Sequence, residues 1–225
     1  MLDSVIRARN KWLKPTGTLF PSHATMFFSL VSFEEDREGK INDYTSSMYD
    51  WKKFSEEMKQ YYNLEMSNLE LKYQQEQIEY YVYSGLWTEL KPEHVIGEPV
   101  VIKRIDLNTC SLEDCEGVDK QKYSIMAPFA VRVSGFAGWF TVDFAGSAVT
   151  PVYRRVTLST GPDAGYTHWG QQVFYLKDAI DCTPNTVISG TLEMVRQEKN
   201  KRLYDLLLTS SVDDCDIVSA TYVIP

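Results

Sequence analysis

Apolar and polar residues alternate along several segments of the chain after Gly97. This period of two indicates β-strands with one buried face and one exposed face. The alternating apolar residues are Phe129, Val131 and Val133, then Phe140, Val142 and Phe144, then Ile188, Leu192 and Met194. Turn residues separate the segments at Asn108, Gly117, Gly135, Gly146, Gly161-Pro162, Pro184-Asn185 and Asn200. Their spacing suits antiparallel connections, so the pattern predicts an antiparallel β-barrel or sandwich.

The first residues predict a helix followed by strands. Apolar residues recur at helical spacing from position 2 to 13, with Asp3 in the first turn, where the helix dipole favours an anion. Pro15 and Gly17 are expected to end this helix. The segments 18–20 and 24–33 are rich in β-branched and aromatic residues and predict two strands. The chain therefore begins as if partway through an α/β unit.

Residues 41–93 interrupt the β pattern with a predicted helical hairpin. Trp51, Phe54, Met58 and Tyr61 recur at steps of three and four, and a second helical run is expected over residues 68–83. The segment is rich in tyrosine and acidic residues. Two interpretations stay open: an insertion that packs on its own domain, or a docking element, since tyrosine and tryptophan give large contact area at small entropic cost.

Composition limits the class of protein. A chain of 225 residues that is 44% hydrophobic can bury a sizeable core as a folded globular protein. Its formal charge of −8 has the wrong sign for binding phosphate backbones, although it would attract a cationic peptide and is also ordinary for solubility. No apolar run approaches membrane-spanning length, and no signal peptide is recognised. We expect a cytoplasmic or nuclear protein without nucleic-acid or membrane partners.

The sequence lacks the common motifs for cofactors and metals. The glycines include no G-x-G pair, and no P-loop, H-E-x-x-H, G-x-S-x-G or EF-hand motif occurs. Cys110 and Cys115 form a C-x4-C pair, but neither Cys182 nor Cys215 adds a finger-like spacing. We expect reduced thiols and no metal site.

One loop could carry chemistry: Thr167, His168 and Trp169, between Gly165 and Gly170. An exposed indole can wall a pocket for a planar cation such as guanidinium, and an imidazole can pair with a carboxylate and fix its orientation. The alternative is structural, with the tryptophan folded onto the barrel and the histidine capping a turn.

Four stretches in order carry a family resemblance: "RARNKWLKPTGTLFPSHATMFF", "GFAGWFTVDF", "VTLSTGPDAG" and "THWGQQVFYL". Together they resemble the carboxy-terminal half of the protein arginine N-methyltransferases. The stretches "NDYTSSMYDWKKFSEEMKQYYNLEM" and "GLWTELKPEHVIG" are most similar to the plant-type subgroup numbered ten. The resemblance covers nearly the whole chain.

The resemblance implies a domain organisation. Residues 1–23 would be the end of a Rossmann-like domain that binds S-adenosylmethionine. Residues 24–225 would form the substrate-binding β-barrel, and 41–93 the helical dimerisation arm inserted in it. The overall fold class expected is mainly β with a helical insertion, and the complete protein is expected to form a homodimer through the arm.

The resemblance also implies roles for five residues. Thr167, His168 and Trp169 would border the pocket for the substrate arginine, with His168 as a catalytic residue paired to a carboxylate from the amino-terminal half. Met1 would lie between substrate and cofactor, and Ser4 near the cofactor. The family's two catalytic glutamates and most of the cofactor site are expected upstream of this chain.

Two functions follow from these expectations. In the first, the chain is part of an enzyme that transfers methyl groups from S-adenosylmethionine to arginine side chains of proteins. The expected product is asymmetric dimethylarginine, and this segment is expected to be inactive alone. The second is a scaffold subunit without catalysis that dimerises with a complete methyltransferase. An unrelated β-barrel binding module leaves the ordered set of motifs unexplained.

Overall fold

The alternating segments form strands of two antiparallel sheets in the computed structural model, which describes residues 2–212 and 215–224. The strands are β1 (His23–Val31), β2 (Leu86–Thr88), β3 (Val95–Asp106), β4 (Val118–Met126), β5 (Val131–Gly146), β6 (Pro151–Ser159), β7 (Gln171–Cys182), β8 (Val187–Arg196), β9 (Tyr204–Val212) and β10 (Cys215–Ile224). The first sheet has the order β2-β7-β5-β1-β3, with β6 also paired to β5. The second has the order β10-β9-β8-β4.

Three α-helices occur among the described residues: α1 (Leu2–Trp12), α2 (Glu34–Tyr62) and α3 (Ser67–Tyr81). Short 3₁₀ turns lie at Pro92–His94, Glu113–Cys115 and Pro162–Ala164. The fold class is therefore mainly antiparallel β with a helical insertion, as predicted.

The main core lies between the two sheets and is built on aromatic side chains. Phe28 and Phe136 stack with ring centroids 5.2 Å apart, and the edges of Tyr123 and Tyr222 complete the cluster against Phe28 and Phe174. The hydroxyl groups of these two buried tyrosines are both hydrogen-bonded. Tyr123 donates to the Thr209 carbonyl at 2.9 Å, and Tyr222 donates to the Tyr175 carbonyl at 2.9 Å. Aromatic groups thus fill the space between the sheets without leaving a buried donor unpaired.

Two local predictions were wrong. Gly135 is not a turn but lies inside the 16-residue strand β5, beside a register shift relative to β7. A Cβ atom there would lie 2.3 Å from the Phe174 carbonyl oxygen, so the close approach of β7 requires glycine. Residues 18–20 do not form a strand, because the Asn108 side chain takes the hydrogen bonds of Thr18 and Leu19 in place of a neighbouring strand.

The predicted helical hairpin is present, with shifted bounds. It begins at Glu34, seven residues before position 41, and ends at Tyr81 rather than near 93. Residues 86–88 instead form β2, which pairs with β7, and residues 92–94 form a 3₁₀ turn. The hydrogen bonds of Ser47 to Tyr73 and to Gln77 join the two helices, as does the stack of Trp51 on Tyr73 at 4.4 Å.

The hairpin is attached to the barrel at its first turn. The Ser134 hydroxyl accepts a hydrogen bond from the Phe33 N–H at 2.8 Å and donates to Glu34 at 3.2 Å. Glu34 also pairs with Arg37, whose buried guanidinium donates to the Lys177 carbonyl at 2.7 Å. This chain of bonds ties the start of α2 to strands β5 and β7.

A second contact lies at Asp36, between Glu34 and Arg37 in the first turn of α2. The Tyr175 hydroxyl of β7 donates to the Asp36 carboxylate at 2.7 Å. Burial, together with the neighbouring Asp36, raises the pKa of Tyr175, so the phenol stays protonated as the donor. Both contacts use the first turn of the helix, so the rest of the hairpin extends away from the barrel, with Arg37 its one buried residue among those described.

Replacing Glu34 by Gln should lower the free energy of unfolding by about 1–2 kcal/mol at pH 7, because Arg37 loses its anionic partner in a buried position. The Arg37 hydrogen bond lowers the pKa of Glu34, so its contribution is present above the unfolded-state pKa and is lost as the pH falls through the lower folded-state value. Urea unfolding should therefore show a difference from wild type that shrinks below about pH 4.

Glu65→Gln is the matched control, since Glu65 pairs with Lys59 on the exposed surface of the hairpin. It should leave the free energy of unfolding nearly unchanged. A Glu34→Gln effect that stayed constant from pH 7 to pH 3 would contradict the assigned ion pair.

Candidate functional site

The loop 165–170 connects the 3₁₀ turn Pro162–Ala164 to strand β7. Gly165 has φ 82° and Gly170 has φ 51°, and both values lie in the left-handed region that favours glycine. Between them, the Gly170 N–H donates to the Thr167 carbonyl at 3.2 Å and closes a turn at His168 and Trp169. The two glycines thus allow the chain to fold back just before β7.

Hydrogen bonds hold both ends of the segment that carries this loop. The Thr160 N–H donates to the Phe140 carbonyl at 3.0 Å, and the Phe140 N–H donates to the Thr160 hydroxyl at 3.1 Å. The buried side chain of Gln171 donates to the Thr160 carbonyl at 2.7 Å and accepts from the Leu90 N–H at 2.7 Å. The loop is therefore presented from a fixed base.

His168 and Trp169 project from this base toward solvent. His168 is exposed, and Trp169 keeps 50% of its surface accessible. Trp169 makes an edge contact with Phe140 at 6.0 Å and another with His168 at 6.2 Å. An indole held in this way can stack on a cation, and the adjacent imidazole can hydrogen-bond a carboxylate.

Thr167 is partly buried, and its hydroxyl oxygen is fully shielded. In the part of the chain that the structure describes, this oxygen has no hydrogen-bond partner. Buried polar groups are almost always paired, so an unpaired hydroxyl at a loop with exposed histidine and tryptophan is notable. The loop therefore combines one buried, unpaired hydroxyl with two exposed side chains, His168 and Trp169.

A groove of about 510 Å³ adjoins the turn that leads into the loop. Its lining includes the carboxylates of Glu98 and Asp163 and the rings of Phe27 and Trp139, which stack at 6.2 Å. Carboxylates beside aromatic faces can bind ammonium or guanidinium groups. Sequence reasoning missed this groove, although Asp163 lies two residues before Gly165 in "GPDAG".

The two remaining predicted site residues lie at the start of the chain. Met1 lies outside the described residues. Ser4 is exposed on α1, whose Ile6 is buried against the end of β3 and whose Arg9 donates to the Leu107 carbonyl at 2.8 Å. Within the described residues, no hydrogen bond or ring contact joins Ser4 to the loop 165–170.

Neither a metal cluster nor a membrane-spanning helix occurs among the residues that the structure describes. No group of three or more histidine, cysteine, aspartate or glutamate side chains among them is placed to hold a metal ion. Within the same residues, every helix is too short or too polar to cross a membrane.

Comparison with known proteins identifies the family. The family model described as the arginine methyltransferase oligomerization subdomain matches residues 22–215. The chain belongs to the protein arginine methyltransferase family. The loop 165–170, the whole helical hairpin and strands β1 to β9 lie within this match.

Individual arginine methyltransferases agree with the family match. Protein arginine N-methyltransferase PRMT10 of Arabidopsis thaliana is 36% identical over 215 residues, covering 95% of this chain and 56% of the relative. The PRMT10 of Oryza sativa subsp. japonica is 39% identical over 210 residues, covering 93% and 55%. The chain thus spans just over half the length of the curated relatives it matches.

Solved structures confirm the fold. The crystal structure of Arabidopsis thaliana protein arginine methyltransferase 10, described as uniquely open, matches with a TM-score of 0.95 at 34% identity, covering 100% of this chain and 66% of that one. The Trypanosoma brucei PRMT1 enzyme-prozyme heterotetrameric complex with AdoHcy matches with a TM-score of 0.77 at 16% identity, covering 100% and 63%. The second match shows a shared fold alone.

Replacing Gly170 by Ala should distort the loop of this arginine methyltransferase chain. Alanine would be strained in the left-handed backbone conformation of this position. Its Cβ atom would also lie 2.5 Å from Nε1 of Trp87, so the indole must move. We expect the free energy of unfolding to fall by about 1–2 kcal/mol, and the tryptophan fluorescence to shift.

Gly39→Ala is the matched control. Gly39 lies inside α2 with nothing within 4 Å of the added Cβ atom. It should leave the fluorescence unchanged and raise the free energy of unfolding by about 0.5–1 kcal/mol. If Gly170→Ala behaved like Gly39→Ala, the described packing of the loop on Trp87 would be incorrect.

Proposed function

We propose that this chain is the barrel and arm portion of a protein arginine N-methyltransferase. The complete protein would transfer methyl groups from S-adenosylmethionine to the guanidinium groups of arginine residues in other proteins. The observation that carries the proposal is the loop 165–170, held at both ends and presenting Thr167, His168 and Trp169 together, in a chain of this family.

Each loop residue has chemistry suited to an arginine pocket. The exposed face of Trp169 is the proposed wall against which the planar guanidinium stacks. His168 is proposed to pair with a carboxylate from elsewhere in the complete protein, and to fix that carboxylate toward the guanidinium. Thr167 is proposed to border the pocket by fixing the start of the turn, since its carbonyl accepts the hydrogen bond from the Gly170 N–H.

Electrostatics favour a cationic protein substrate. The formal charge of −8 attracts basic segments. The groove with Glu98 and Asp163 adjoins the 3₁₀ turn that leads into the loop. Arginine-containing proteins are therefore the proposed substrates.

The fit of this chain to the cofactor is limited. S-adenosylmethionine would supply the methyl group. Ser4 is exposed on α1, and it does not line the groove beside that helix, which includes Arg9 and Asn10. We therefore propose that the main cofactor contacts come from another part of the complete protein, and that this segment alone does not catalyse transfer.

The helical hairpin supports a role in assembly. Eight of its large apolar residues are exposed, and these are Tyr49, Phe54, Tyr61, Tyr62, Leu64, Leu69, Leu71 and Tyr80. The matched family model is described as an oligomerization subdomain. We propose that the hairpin α2–α3 is the arm through which the complete protein forms a homodimer, and that the product is asymmetric dimethylarginine.

The direct test uses the complete protein that contains this sequence. It is incubated with radiolabelled S-adenosylmethionine and a glycine- and arginine-rich peptide, with the lysine-substituted peptide as control. Label in the arginine peptide, recovered as asymmetric dimethylarginine after hydrolysis, supports the proposal. A protein that associates with an active relative but transfers no label alone would instead be a scaffold subunit.

Trp169→Ala and His168→Ala in the complete protein should each lower kcat/KM for an arginine peptide. The loss of a desolvated cation–π contact at Trp169 corresponds to a decrease of about fivefold to thirtyfold, and a similar loss is expected at His168. Tyr153→Ala is the control, because Tyr153 is a fully exposed aromatic residue on the edge strand β6. Parent-level kinetics with both loop variants and an intact fold would assign the loop a structural role only.

Shortening the arm should dissociate the complete protein. Replacing residues 52–72 by a short Gly-Ser loop keeps Trp51 and Tyr73 in place but removes the distal exposed aromatic residues. Light scattering should show a mass half that of the parent, with activity greatly reduced. A variant that remained an active dimer would refute the proposed role of the hairpin.

A further inference from the structure

Two thiols face each other in the loop after β3. The Sγ atoms of Cys110 and Cys115 are 3.9 Å apart, and neither residue is in a disulfide. Cys110 is buried, whereas Cys115 is partly exposed. The proposed methyl transfer does not use this C-x4-C pair.

The loop is folded so that the two sulfur atoms meet. Asp114 accepts hydrogen bonds from the Ser111 N–H at 2.7 Å and the Ser111 hydroxyl at 2.9 Å. The Cys115 N–H donates to the Leu112 carbonyl at 3.0 Å and closes the 3₁₀ turn Glu113–Cys115. These bonds turn the chain back and bring the Cys115 side chain over Cys110.

We propose that Cys110 and Cys115 are a reversible modification site. The two thiols form a disulfide with each other when they are oxidised by a low-molecular-weight disulfide such as glutathione disulfide. The S–S bond length requires the two sulfur atoms to approach by about 2 Å, which side-chain rotation and a small shift of the exposed turn can supply. This inference goes beyond the proposed methyl transfer and does not depend on it.

The chemical step uses the difference in exposure of the two thiols. The Cys115 thiolate attacks one sulfur of glutathione disulfide, which forms a mixed disulfide and releases one glutathione thiolate. The Cys110 thiolate then attacks Sγ of Cys115 and releases the second glutathione. The two protein thiols are oxidised, one glutathione disulfide is reduced to two glutathione molecules, and the two thiol protons pass through solvent to the released thiolates.

The first step should be slow at neutral pH. Burial raises the pKa of Cys115 to about 11, with Cys110 and Asp114 also raising it and Lys103 opposing them. Arg9 of α1 approaches the pair from the other side, with Nη1 3.8 Å from Sγ of Cys110. Because only the thiolate reacts, the rate should rise about tenfold per pH unit between pH 7 and pH 9.

The disulfide would restrain the loop surface that supports α1. Arg9 donates to the carbonyls of Leu107 at 2.8 Å and Cys110 at 2.6 Å, and Ile6 is buried in the same cluster as Cys110. Closing the loop should stiffen the surface on which α1 rests. The melting temperature should rise by about 3–8 °C, and the amides of α1 should exchange hydrogen more slowly.

Peptide mapping of this chain provides the test. Trypsin cleaves after Arg104 and Lys120, so one peptide, residues 105–120, contains both thiols and no other cysteine. After equilibration with glutathione disulfide and alkylation, that peptide should be lighter than the reduced form by two hydrogens and carry no alkyl group. Dithiothreitol should restore two alkylatable thiols.

Cys115→Ser is the control variant, since it replaces the partly exposed thiol and leaves Cys110 in the core. Its peptide should never lose two hydrogens, and its melting temperature should not respond to the oxidant. The proposal is overturned if the wild-type peptide remains doubly alkylatable, stops at a glutathione adduct, or joins a different peptide. Unchanged hydrogen exchange in α1 of the oxidised protein would overturn the coupling to the helix.

Discussion

Strand β5 is the constraint on which the other parts of the structure depend. Its 16 residues pair with β7 along the first half, with β1 along most of its length and with β6 at its end. The register shift between Val133 and Gly135 places the Ser134 hydroxyl where it meets both the Phe33 N–H and Glu34. The same strand then supplies Phe140, which holds Thr160 and contacts Trp169. One strand therefore sets the position of the arm and of the candidate site.

The pairing of β5 with β7 requires glycine at position 135, where a Cβ atom would clash with the backbone of β7. At Gly138 an added Cβ atom would make only ordinary contacts. Further along, Asp143 is buried and binds Arg155 and Thr157 of β6. Burial opposes ionisation of Asp143, but these two partners outweigh it and lower its pKa. The edge strand β6 is thus held by a charge as well as by its backbone.

The sequence predicted the class of fold well because the two-residue period of the strands and the helical period of the hairpin are both clear. Alternation identified β5 and β8, and the helical spacing of Trp51 and its neighbours identified the hairpin. Local pattern could not tell a glycine at a strand irregularity from a glycine in a turn, since only the approach of β7 distinguishes them at Gly135. It also could not place the start of α2 at Glu34, because the bonds to Ser134 come from a residue 100 positions away.

The candidate site shows the same division between local and distant information. Thr167, His168 and Trp169 are consecutive, so their grouping could be predicted, whereas the clamp by Gln171 joins Thr160 to Leu90 across the sheet. The groove with Glu98 likewise depends on β3 and β5 being brought together by β1. These long-range hydrogen bonds fix the two ends of the loop segment, whereas His168 and Trp169 themselves remain exposed on it. Local sequence can therefore reveal the exposed side chains but not the bonds that hold them in place.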